Sequence, residues 1–261
     1  MAELLFLPAL LAYGEAALAY ADGARHPGRA AGPAMWGVRV GWLAQTSLIA
    51  AQVARSASVP WDTWAGSLNL FVWLVVGVYL VWGCRVRFQL LGVAVMPFAA
   101  GLLLTAWLAG AADAGESRYS PVFLVFHVGL VLAAFAGFTI AAAMSALYLF
   151  EERRLKRRRL GSLLGRAPSL LVLDTLAART VLVSLVALAA GVGLGLKRLE
   201  DEGGRFDAVM AATLVAAGVY GAYVLLRVEA GWQGRRAAYL ALAGFTLVAL
   251  IRLAFPLAHF A

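Results

Sequence analysis

Long apolar runs alternate with short polar connections along nearly the whole chain. Eight runs stand out, at about 2–21, 34–54, 66–84, 88–111, 120–150, 176–196, 208–228 and 237–258. A bilayer core of about 30 Å takes roughly 20 helical residues to cross, so each run reads as a transmembrane helix. The runs are continuous and rich in Ala and Leu rather than alternating, which argues against strands. The pattern predicts an all-α integral membrane bundle of eight spans, one domain over 1–261. A single longer, basic connection is expected at 151–175, on the cytoplasmic side. The first run has no basic segment ahead of it and carries Glu15, so it reads as a span and not as a removed signal. The sequence shows no internal repeat.

Composition agrees with this reading. The 261 residues are 63% hydrophobic and 14% charged, against roughly 25% charged in soluble domains. Mean hydropathy is +0.83. A soluble globular domain and a disordered chain are both excluded. The 22 Lys and Arg against 14 Asp and Glu give a net charge of +8. Sorted by loop, fourteen cations fall on one set of alternate connections, at 25–29, 85–87, 153–166 and 227–236. Five fall on the other set: Arg55, Arg118, Lys197, Arg198 and Arg205. The richer set is cytoplasmic by the positive-inside rule, which puts both termini on the outer side. The run EERRLKRRRLGSLLGR then reads as a stop-transfer anchor touching anionic lipid. Without interleaved aromatics it is no nucleic-acid site. Cys84 is the lone cysteine, so an intramolecular disulfide, a CxxCH haem attachment and a cysteine zinc site are excluded.

Few polar groups remain to carry chemistry. His26 sits in a cytoplasmic connection. His127 starts the long fifth run and His259 ends the eighth, so the topology brings both to the outer face. Histidine nitrogen ligates haem iron, and two from different helices can give bis-histidine ligation. Two unrelated interfacial histidines would give the same placement. Trp61 and Trp64 are three apart in the outer connection SVPWDTWAGSLNLFVW. They fit either an interfacial aromatic belt or a platform against a porphyrin. Arg252 lies one helical face with His259; it either snorkels outward or, like Arg118, holds a propionate. Glu15 and Arg39 lie at similar depth from the cytoplasmic side and are expected to form a structural ion pair between the first two helices. A proton relay is the other use of such charges. Paired broken helices, a second cofactor site and a hydrolase-like nucleophile are not evident, which argues against a transporter, an oxidoreductase and a hydrolase.

Several stretches together resemble the haem-handling cytochrome c assembly family, of the CcsA, CcmC and HemX type. They are PWDTWAGSLNLFVWLVVGVYL, the fifth run ending LYLFEERRLKRR, LDTLAARTVLVSLVALAAGVGLG, and GWQGRRAAYLALAGF with its last span ending LAHF. The resemblance covers about residue 55 to the end. It implies that His127 and His259 are axial ligands of a non-covalent haem b on the outer side. It also implies a non-enzymatic role in haem handling and cytochrome c assembly, in the cytoplasmic membrane of a bacterium. The partners implied are membrane lipid, haem and other assembly proteins. The family's tryptophan-rich WGxxWxWD segment has no counterpart here: that place reads GLKRLEDEGGRFDAV. The pattern is closer to the HemX-like branch, some of whose members are linked to control of a cytoplasmic haem-synthesis enzyme, glutamyl-tRNA reductase.

Overall fold

The computed structural model describes residues 2–26, 32–56, 63–83, 88–111, 121–157, 168–202 and 208–254. All of its regular elements there are helices: α1 (Ala2–Arg25), α2 (Gly32–Ser56), α3 (Trp64–Gly83), α4 (Gln89–Leu108), α5 (Pro121–Lys156), α6 (Leu170–Glu202), α7 (Ala208–Glu229) and α8 (Arg235–Ala254). Each coincides with one apolar run. Among the described residues, α3 to α7 are long and apolar enough to cross a membrane. The chain divides into two compact units, Met1–Arg118 with Glu151–Ser169, and Tyr119–Phe150 with Leu170–Ala261.

Two boundaries differ from the sequence expectation, and both shorten the connection at 151–175. α5 continues past Phe150 because its charges pair along the helix. Lys156 donates to Glu152 at 2.7 Å and Arg154 lies 3.4 Å from Glu151, at the spacings that favour helix. α6 begins at Leu170, directly after Pro168 and Ser169. Serine is a preferred residue just before a helix. Asp174, which ends the apolar run when the chain is read as a sequence, is therefore inside the second turn of α6.

In the first unit, α1 buries Phe6, Ala9, Tyr13, Ala16 and Tyr20, a 3-4 repeat. α2 answers with Ala34, Val38, Gly41, Gln45, Leu48 and Gln52. This is the seam of two helices packed along their length. Gly37 and Gly41 let the backbones approach: a Cβ on Gly41 would stand 2.6 Å from the Tyr13 ring. Such small-xxx-small spacing is how apolar helices pack in lipid, where burial alone gives little drive. Gly92 of α4 has the same role toward α1 and α3. Its Cβ would lie 2.6 Å from the Tyr20 ring and from the Tyr79 hydroxyl. Gly92→Leu should therefore lower stability by about 1–3 kcal/mol through overpacking. Gly101 on the same helix is exposed and a Cβ there meets nothing within 4 Å, so Gly101→Leu should be nearly neutral. Thermal unfolding of the two variants in detergent separates them.

The second unit packs α5 to α8 around Phe138, Val181, Leu188, Ala216, Tyr220 and Ala241. The Phe138 and Tyr220 rings stack with centroids 3.7 Å apart and planes 2° off parallel. Gly137 of α5 faces the Ser184 side chain of α6, leaving no room for a Cβ. Large apolar side chains point outward along α6, with Val183 69% and Val186 64% exposed. A stripe of that kind suits acyl chains and not water.

Candidate functional site

His127 lies in the second turn of α5 and is half-buried against α6. Its Nδ1 is 2.8 Å from the Gly191 carbonyl oxygen. Its ring lies over Gly195, one turn further along α6. A Cβ there would meet Cε1 at 2.6 Å, Nδ1 at 3.1 Å and Nε2 at 3.4 Å. At Gly191 a Cβ would meet Val131 at 2.8 Å. Gly191 and Gly195 of GVGLG thus form a groove that seats one imidazole. Gly193, on the other side of α6, meets nothing within 4 Å.

The remaining candidates divide by where they fall. His259, Trp61 and Arg118 lie outside the described residues, as do the side chain of Arg252 and the far end of the predicted eighth span. Trp64 opens α3 and is half-buried. Glu15 is exposed on α1, and Arg39 carries its guanidinium carbon 5.3 Å from the centre of the Trp36 ring. His26 bonds the Asp22 carboxylate at 2.8 Å, at the exposed end of α1. No group of three or more His, Cys, Asp or Glu that could hold a metal ion occurs among the described residues.

The structure adds an ion pair that the sequence reading passed over. Asp174 on α6 receives both arms of Arg227 from α7, at 2.6 and 3.1 Å. It also accepts the backbone N–H of Gly234 at 2.9 Å. Gly231 and Gly234 have φ of +63° and +62°, a conformation glycine adopts without strain. One carboxylate therefore fixes the turn of GWQGRR and joins α6, α7 and the start of α8. That turn carries Arg236 over Trp232 and Arg235 over Tyr239, at 6.0 and 5.4 Å. The signal available in the sequence was an acid at the start of one run and a base at the end of the next, which an up-and-down topology brings to the same side.

These elements define a multi-pass helical membrane protein with an imidazole seated between two of its helices. Residues 61–259 match the family model described as cytochrome C assembly protein, and the chain belongs to that family. It is 28% identical over 159 residues to Protein HemX of Brevibacillus brevis, covering 59% of this chain and 58% of that one. It is 28% identical over 152 residues to the cytochrome c biogenesis protein CcsA of Synechococcus sp. (strain RCC307), covering 49% of each. The CcsA of Prochlorococcus marinus (strain MIT 9215) is 30% identical over 148 residues, 48% of each. The chain spans about half to three-fifths of the length of these relatives. No solved structure matches it.

Proposed function

We propose that this chain is a haem-binding protein of a bacterial cytoplasmic membrane, with eight spans and both termini outside, that handles haem for cytochrome c assembly without being an enzyme. Haem is held non-covalently near the outer face by His127 and His259. The observation that carries the reading is the match over 61–259, which includes both histidines. The donor chemistry fits the group. A carbonyl can only accept, so the Nδ1 that meets the Gly191 oxygen bears the proton. Neutral imidazole then has its lone pair on Nε2, the form that binds a metal. When bound, the iron would supply redox and ligand-exchange chemistry. The chain's own residues orient the imidazole and enclose the porphyrin with apolar helices. Trp61 and Trp64 would pack against the ring, with Arg118 or Arg252 on a propionate.

A second reading is a HemX-like membrane regulator that acts on a cytoplasmic haem-synthesis enzyme and transfers no haem. It is favoured by the wider match to Protein HemX and by the absence of tryptophan from GLKRLEDEGGRFDAV. One experiment separates the two. Detergent-purified protein titrated with haem should give a low-spin bis-histidine absorption spectrum that is lost in both His127→Ala and His259→Ala. A spectrum unchanged in the double variant removes the haem-binding reading. A wild type that gives no such spectrum leaves the regulatory one.

A further inference from the structure

We infer that Gly191 and Gly195 are positioning residues for His127: together they set which ring nitrogen carries the proton and where the other nitrogen points. The inference rests on the reading of His127 as an iron ligand, and it deepens that reading at the same site. Three observations on two helices carry it. First, the 2.8 Å contact from Nδ1 ends on a main-chain oxygen, which no side-chain substitution removes. A carbonyl oxygen has two lone pairs and can accept from the imidazole in addition to its own helix. Second, the imidazole lies against Gly195: a Cβ there would collide with Cε1 at 2.6 Å and stand tight against Nδ1 at 3.1 Å. Third, the α5 backbone closes on Gly191: the His127 carbonyl oxygen and the Leu130 Cβ would each be 3.4 Å from a Cβ there.

Each glycine does a separate task. Gly191 lets α5 come close enough for the bond to form, and Gly195 leaves the ring the room to make it. An alanine at Gly195 has one cheap escape, which is rotation of the imidazole about its own side-chain bonds. That rotation carries Nδ1 away from the Gly191 oxygen. The Gly191 carbonyl then no longer holds the proton on Nδ1. Outer partners of this kind fix the tautomer and orientation of metal-ligating histidines, and their loss costs about 10–100-fold in affinity. Gly193 is the internal control. It shares the same turn of α6, it is exposed, and a Cβ there touches nothing.

The test uses the haem-free, full-length protein in detergent, with histidine labelled by nitrogen-15 and the His127 signals assigned by their loss in His127→Gln. At about pH 8, above the ordinary histidine range, long-range proton–nitrogen spectra report which nitrogen is protonated. The expected result is a proton on Nδ1 in the wild type and in Gly193→Ala, and loss of that single form in Gly195→Ala. Haem titration of the same three proteins should then show affinity about 10–100-fold weaker for Gly195→Ala alone. A wild-type proton on Nε2 overturns the inference, and this needs no variant to fold. So does a Gly195→Ala protein that keeps both the wild-type tautomer and the wild-type haem affinity. The two readings fail separately. A wild type with the Nδ1 proton that never binds haem supports the positioning of His127 and sinks its use as an iron ligand. Haem bound through a wrongly protonated His127 does the reverse.

Discussion

Asp174→Ala is expected to destabilise the second unit by about 3–5 kcal/mol, the range for removing one partner of a buried ion pair. The Asp174 side chain is 8% exposed and that of Arg227 19%, so solvent screens neither charge well. Alanine leaves the partly buried guanidinium with the Tyr223 side chain but no counter-charge, and leaves the Gly234 N–H without its acceptor. Arg227→Met strands the carboxylate and should cost a similar amount. Asp174→Asn keeps an acceptor for Gly234 but loses the charge, and should fall between these and the wild type. The informative variant is the double one. Asp174→Leu with Arg227→Met removes both charges, and apolar replacement of a whole pair is often close to neutral. The double variant should therefore recover most of the loss seen in each single variant. Unfolding of the detergent-solubilised proteins, followed by helical circular dichroism, measures all four. Single variants within about 1 kcal/mol of wild type would show that water, and not Arg227, satisfies the carboxylate.

The existence and order of the helices were legible because lipid imposes one rule: every backbone group in the bilayer core must be bonded within its own segment. A run of about 20 apolar residues then has essentially one structural meaning. Helix ends were less legible, for a reason that Asp174 makes plain. A charge ends an apolar run on paper, but its cost vanishes when the partner sits 53 residues away on the next helix. Ser169 offers a local start for α6, but a charge inside the next turn makes sense only with Arg227 of α7 in place.

The site was legible in its donor and not in its support. His127 stood out because histidine is scarce in this chain, which has 3. Gly191 and Gly195 did not, since the chain holds 27 glycines and an isolated helical glycine reads only as a mild helix weakener. Their meaning comes from a ring on the neighbouring helix. The faces of the helices were hidden in the same way. Lipid and protein neighbours are both apolar, so an apolar run does not say which side it turns to its partners. The 3-4 stripe on α2 becomes visible only with Gln45 and Gln52 counted as inward positions.

Gln45 carries the second large expected effect. It is fully buried and joins three helices: its Oε1 accepts the Tyr13 hydroxyl of α1 at 2.8 Å. Its Nε2 donates to the Asn69 side-chain oxygen of α3 at 2.8 Å and to the Asn69 carbonyl at 3.0 Å. The side-chain nitrogen of Asn69 already has no hydrogen-bond partner among the described residues. Gln45→Leu keeps the volume nearly constant but leaves the tyrosine hydroxyl and the Asn69 oxygen buried and unbonded. At about 1–3 kcal/mol for each unsatisfied group, the gross cost is several kcal/mol. Hydrogen bonds measured inside membrane bundles average only about 0.6 kcal/mol, because the separated helices also find partners. The two limits bracket the expected loss at about 2–4 kcal/mol. Tyr13→Phe removes the donor along with the bond and should cost less, about 0.5–1.5 kcal/mol. The pair must then be non-additive: once Tyr13 is Phe, Gln45→Leu strands one group fewer and should cost at least about 0.5 kcal/mol less. Strict additivity of the two substitutions in detergent unfolding would mean that the bond between them contributes nothing. The close seam of α1 and α2 would then hold by glycine packing alone.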